Sequence, residues 1–174
     1  GVVVIGSGQN VNWANPTNVE VADNSFTTCV FASGNSSSYR LQCTNFNING
    51  IPSAATINSV TFNILAKENA GDDSVIDNEI FLVLDNSGLI SNFNRSLGSV
   101  WGTDPHTQSR TYGGDLWNQS LTLGDVLASG FGISVKAGTN SNGLGEAYID
   151  AISCTICANI YAENASIPLF LDSS

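Results

Sequence analysis

Apolar and polar residues alternate in short runs along this chain, each run bounded by Gly, Asn, Ser or Pro, and helical spacing is nearly absent. That pattern marks an all-β protein, because successive side chains of a strand point to opposite faces. It predicts strands at Val2–Ile5, Asn18–Ala22, Thr27–Ala32, Tyr39–Asn47, Ser59–Lys67, Glu79–Asp85, Gly132–Ala137 and Ala147–Ala162. The stretches between them, such as "SGNSSS", "NGIPSA" and "ENAGDD", hold residues that accept positive φ or hydrogen-bond their own backbone. In the run from Ser59, Val60, Phe62, Ile64 and Ala66 share one face and Thr61, Asn63 and Leu65 the other. One side packs a core and the other meets solvent or a partner. A single short helix is expected near residues 123–129, capped by Thr122, with Asp125 at its positive end and Gly130 ending it in the left-handed conformation. The whole reads as a sandwich or barrel in one domain, residues 1–174, a length able to bury a sizeable core.

Two apolar segments need placing. "GVVVIG" at residues 1–6 offers Val2, Val3, Val4 and Ile5 with no alternation to say which side faces inward. It is either an edge strand of the protein's own sheet or an arm, within residues 1–8, that adds to a neighbour's edge. The tail at 163–174 carries Ile167, Leu169, Phe170 and Leu171 beyond the last expected strand, as a second candidate arm.

Charge narrows the partners. Five Lys and Arg against fifteen Asp and Glu give a net charge of -10, and the basic residues are scattered. Nucleic acid and anionic membranes are not expected partners, because binding them requires a basic patch. Only 11% of residues are charged. Solubility then rests on Ser, Thr, Asn and Gly, a surface suited to life outside the cytosol or among copies of itself.

The cysteines allow two readings. A hairpin folded about Ser36 sets Cys29 opposite Cys43, and Phe31 opposite Leu41, so a disulfide and two buried thiols are both open. Cys154 and Cys157 lie three apart on a β-branched run, which points them to opposite faces and argues against a metal site. No cofactor is expected. A calcium site is the one candidate, at the acidic turn of Asp72, Asp73 and Asp77, against the plainer reading of a solvated loop.

Catalytic patterns are missing from the sequence. The single histidine, His106, lies in a polar loop, and no nucleophile elbow, zinc-protease helix or phosphate loop occurs. Trp13, Trp101 and Trp117 are candidates for stacking a carbohydrate, against the alternative that they cover a core beside turns. Sequons at Asn35, Asn94, Asn118 and Asn164 are expected by chance in so Asn-rich a chain.

The segment "WGTDPHTQSRTYGGDLWNQSLTLGDVLASGFGISVKA" resembles a module of tailed-phage virion proteins that also occurs in secreted bacterial surface proteins. "NWANPTNVEVADNSFTT", "LQCTNFNINGIPSAATINSVTFNI" and "AYIDAISCTICANIYA" extend the resemblance over roughly residues 12 to 162. The four cysteines, the Asn-rich loops and the apolar ends depart from it. The resemblance implies a jelly-roll-like β-sandwich that builds or attaches rather than catalyses, with no catalytic residues to carry over. The expectation is a non-enzymatic capsid decoration or cement protein on a phage virion. Its partners would be itself, as a cyclic oligomer with a trimer the natural guess, and the major capsid protein. The alternatives are an extracellular surface or filament subunit joined by strand exchange, and a carbohydrate-binding or fibre module.

Overall fold

The structure, a computed structural model, describes residues 1–6, 10–32, 37–69, 74–84, 90–103, 107–140 and 144–160. Eight strands form, β1 (Val2–Ile5), β2 (Thr27–Phe31), β3 (Arg40–Thr44), β4 (Ala55–Glu68), β5 (Val75–Val83), β6 (Gln108–Asp115), β7 (Gly132–Thr139) and β8 (Gly145–Ile160). They make two antiparallel sheets, one in the order β1-β3-β7-β5 and the other β2-β8-β4-β6. Each strand lies in the sheet opposite to that of the strand before it. This wiring is that of a jelly roll, in which the chain wraps both sheets together as it goes.

The expected alternation holds in β4, where Val60, Phe62, Ile64 and Ala66 are all buried and Asn63 is exposed. The long strands keep a single inward face only because they are interrupted. Asn58 in β4, Asn78 in β5 and Asp150 in β8 each fall where the register shifts. An extra residue reverses the parity of inward positions, so Ile57 and Val60 both face the core, as do Ile149 and Ile152. The bulged Asp150 is itself nearly buried, and its Oδ1 accepts from the backbone N–H groups of Asp23 (3.2 Å) and Asn24 (2.8 Å), tying that turn to the sheet.

Several local expectations are corrected. Asn18–Ala22 does not form a strand; Pro16–Glu20 is a 3-10 turn that buries Val19. Pro16 starts it with a fixed φ, and Asn15 ahead of it is left-handed at φ 51°, which Asn tolerates. Helix α1 spans Leu123–Leu127 with Thr122 and Asp125 making a reciprocal capping box, as expected. It ends at Ala128, which is extended, and not at a left-handed Gly130. Strand β6 was not among the expected strands.

The core sits between the sheets and includes all three tryptophans. Trp13 donates its indole N–H to the Tyr39 carbonyl at 2.9 Å, and Trp117 donates to the Val60 carbonyl at 2.9 Å. Trp117 packs edge-on to Phe62, ring centroids 5.7 Å apart.

Candidate assembly surface

Strand β1 settles the placing of residues 2–5. It pairs antiparallel with β3, Val2 opposite Cys43, Val3 opposite Gln42, Val4 opposite Leu41 and Ile5 opposite Arg40. Val2, Val3, Val4 and Ile5 are therefore an edge strand of their own sheet, not a free arm. The partner strand supplies the alternation that "VVVI" lacks: Val2 and Val4 pack on the core, while Val3 is 56% and Ile5 44% exposed. The second candidate arm, Ile167, Leu169, Phe170 and Leu171, lies outside the described residues.

Across the outer face of this sheet the register makes two rows. In one, Val3 continues through Gln42 and Ser134, both buried, to Phe81; in the other, Ile5 lies opposite Arg40 and Lys136 opposite Glu79. Glu79 binds both cations: Arg40 directly, and Lys136 Nζ at 3.4 Å. The Arg40 guanidinium also lies over the Phe81 ring, 5.4 Å from its centroid. Partial burial pushes the Glu79 carboxyl up, but the Arg40 hydrogen bond and the charges of Arg40 and Lys136 outweigh it and hold it below the usual range. Beside the end of β1 an open cleft of about 320 Å³ is lined by Val2, Val19, Glu20, Cys43, Phe46 and Ile152.

The other residues singled out from the sequence are placed elsewhere. Cys29 and Cys43 are free thiols in opposite sheets, Cys29 facing Ala147 across the ladder and Cys43 lying between Val2 and Ile133. The hairpin register is corrected, since β2 and β3 are not neighbours; the jelly-roll wiring sends the chain across the core between them. Burial pushes both thiols up to about 12. Cys154 is half-buried and likewise pushed up to about 12 by burial, whereas Cys157 is exposed on the opposite side of β8.

Trp13, Trp101 and Trp117 are each at most 2% exposed, so none presents a face on which a sugar ring could stack. Asp77, the one described residue of the acidic turn put forward for calcium, has its carboxylate turned into the fold. It is buried and engaged with Arg110 at 2.7 Å and with the Leu97 N–H. Asp72 and Asp73 lie outside the described residues, as does His106. Among the described residues no three His, Cys, Asp or Glu side chains gather as a metal site. Among the described residues no helix is long and apolar enough to cross a membrane.

Two groups escaped the sequence reading. Arg110, on β6, points inward, and its Nη2 reaches Asp77 and both oxygens of Ser99 while Nε donates to the Tyr112 hydroxyl at 3.0 Å. Glu68, at the end of β4, is 2% exposed, and one of its carboxylate oxygens accepts from the N–H groups of Ser74 (2.9 Å) and Val75 (2.7 Å). A charged residue at an inward position is invisible to a hydrophobic pattern; its only signal was parity with Tyr112.

No protein-family model matches the chain, and no curated protein matches it.

Proposed function

We propose that this chain is a non-enzymatic structural protein of a phage virion, decorating or cementing the capsid through contacts with its own copies and with the major capsid protein. The observation that carries the reading is the β1 edge, which no described residue pairs, flanked by outward-facing Val3 and Ile5 on a jelly-roll body. An apolar strand edge on a polar-skinned domain is a surface for joining subunits. A net charge of -10 is consistent with a partner that is protein and not nucleic acid.

The competing readings are weaker on specific grounds. Joining by strand exchange would require β1 to leave its ladder with β3. Sugar stacking on the tryptophans would require indole faces that are packed in the core.

The test is location. Antibody raised against the purified chain is expected to label the heads of virion-sized particles from the source culture by immunogold electron microscopy. Label confined to cell-surface filaments, or absent from the particle fraction, removes the reading.

A further inference from the structure

The four sheet edges are treated unequally. The outer edge of β5 is strapped by residues 90–101: Ser91 N–H reaches the Leu82 carbonyl (2.8 Å), Arg95 N–H the Ile80 carbonyl (2.8 Å) and Trp101 N–H the Val75 carbonyl (2.7 Å). The edge of β2 is closed by Ala14, which exchanges both backbone bonds with Thr28. β6 carries an inward-pointing Arg110 and a bulge at Gly113 and Gly114, both devices that discourage strand addition. β1 has no charge, proline or bulge, and among the described residues nothing pairs with its outer edge.

The groups that β1 offers there follow from the ladder. Gly1 and Thr44 exchange both backbone bonds, at 2.8 and 2.6 Å. Because bonded and non-bonded pairs alternate in an antiparallel ladder, Val3 and Ile5 also turn their N–H and C=O toward β3. Val2, Val4 and Gly6 turn theirs outward.

We propose that this edge pairs with the same edge of a second copy across a two-fold axis at Val4. In that register Val4 of one copy lies opposite Val4 of the other, and Val2 lies opposite Gly6, so every outward-turned group meets a partner. The same register sets Val3 against Ile5 of the second copy, twice, in the non-bonded pairs where side chains come closest. Four exposed apolar side chains then cover one another. Glu79 offsets one of the two neighbouring cations, Arg40 and Lys136, so the edge meets its copy without the excess of negative charge that the whole chain carries. The result is one continuous eight-stranded sheet, β5-β7-β3-β1 joined to its own mirror order. Shifting the dyad to Val3 sets Ile5 opposite Gly1, which gives Ile5 no apolar partner. This inference rests on the assembly reading and names the partner of that surface as another copy of the chain.

The experiment is sedimentation equilibrium of the purified chain up to about 200 μM, since an edge contact falls well below the ~1,200 Å² of stable interfaces and dissociates readily. The wild type is expected to show a concentration-dependent dimer. Val4→Pro removes an N–H that points away from β3, a position where an edge strand accepts proline, together with some of the Val4 packing on the core, and is expected to be monomeric with unchanged circular dichroism. The double variant Val3→Lys with Ile5→Lys is expected to be monomeric as well, which keeps the test valid if the proline variant misfolds. Val30→Lys, an exposed apolar residue on β2, serves as the control that stays dimeric. A wild type that is monomeric throughout, or an oligomer of any order that survives both β1 variants, overturns the inference. Immunogold label on virion heads together with a monomeric chain would sink this pairing and leave the virion reading standing; a β1-dependent dimer absent from particles would do the reverse.

Discussion

Arg110 on β6 and Asp77 on β5 meet at 2.7 Å in the interior and join the two sheets, with 9% and none of their side chains exposed to water. Asp77 also accepts from Leu97 N–H, and Arg110 donates to the Ser99 and Val100 carbonyls, so the pair holds the strap that shields β5. Removing one partner leaves the other charge buried and unmatched. Arg110→Met or Asp77→Asn is expected to cost about 3–5 kcal/mol, read from urea unfolding. Arg110→Met with Asp77→Leu should recover much of that loss, because an apolar pair of similar volume requires no desolvation of charge.

Gly113 and Gly114 both have positive φ, at 96° and 86°, yet they differ in what surrounds them. A Cβ on Gly113 would overlap the Val60 carbonyl oxygen and the Trp117 indole nitrogen, whereas one on Gly114 meets nothing within 4 Å. Gly114→Ala is expected to cost about 1–2 kcal/mol from backbone strain alone. Gly113→Ala should cost about 2–5 kcal/mol and disturb the Trp117 to Val60 hydrogen bond, visible as a shift in tryptophan fluorescence.

Thiol chemistry should distinguish the four cysteines. Cys29, Cys43 and Cys154 are protonated at pH 8 because burial pushes each to about 12, and a thiol without its thiolate is a poor nucleophile. Cys157 is exposed. Maleimide labelling of the folded chain at pH 8 is expected to give one fast thiol, abolished by Cys157→Ser. The other three should react only once urea opens the sandwich.

Acid should weaken the outer face of the β1 sheet. Glu79 is held below the usual carboxylate range, so the stability it contributes is fully present above its unfolded value, about 4.3, and is lost as pH falls through its lower folded value. Asp125 behaves alike, held down by the Thr122 hydroxyl and then by the Thr122 backbone N–H. Thermal melting should change little through these groups between pH 7 and pH 5, then decline below about pH 4.3. Glu79→Gln should melt lower than wild type at pH 7, with the gap closing as the pH falls.

Thr122→Ala removes one half of the α1 cap and is expected to cost about 0.5–2 kcal/mol by thermal denaturation. The helix is a single turn, so the loss should be confined to its packing through Val126 and leave the sheets intact.

The parts of the fold that could be read in the sequence are those set by residues two apart. Val60 to Ala66 is of this kind, and the Thr122–Asp125 cap, spaced three apart, was legible for the same local reason. What could not be read depends on partners distant in sequence. Cys29 and Cys43 fitted a local hairpin because strand pattern carries no information on which sheet a strand joins. "QSRTYGGD" did not read as a strand because its inward Arg110 is acceptable only beside Asp77, 33 positions away. Val2–Ile5 showed no side to the reader until β3 lay against it. The bulges at Asn58, Asn78 and Asp150 were hidden for a similar reason, since an extra residue is recognised only by the strand it faces.

The strand Gly145–Ile160 lies between β2 and β4, and β2 pairs with no other strand of its sheet. During synthesis, the edge of residues 27–31 that faces away from Ala14 must therefore wait unpaired until nearly all of the described chain has emerged. Closure of loops that long makes for slow folding and a half-built body with sticky margins. A nascent copy is thus most vulnerable to wrong partners just before the strand that completes it arrives.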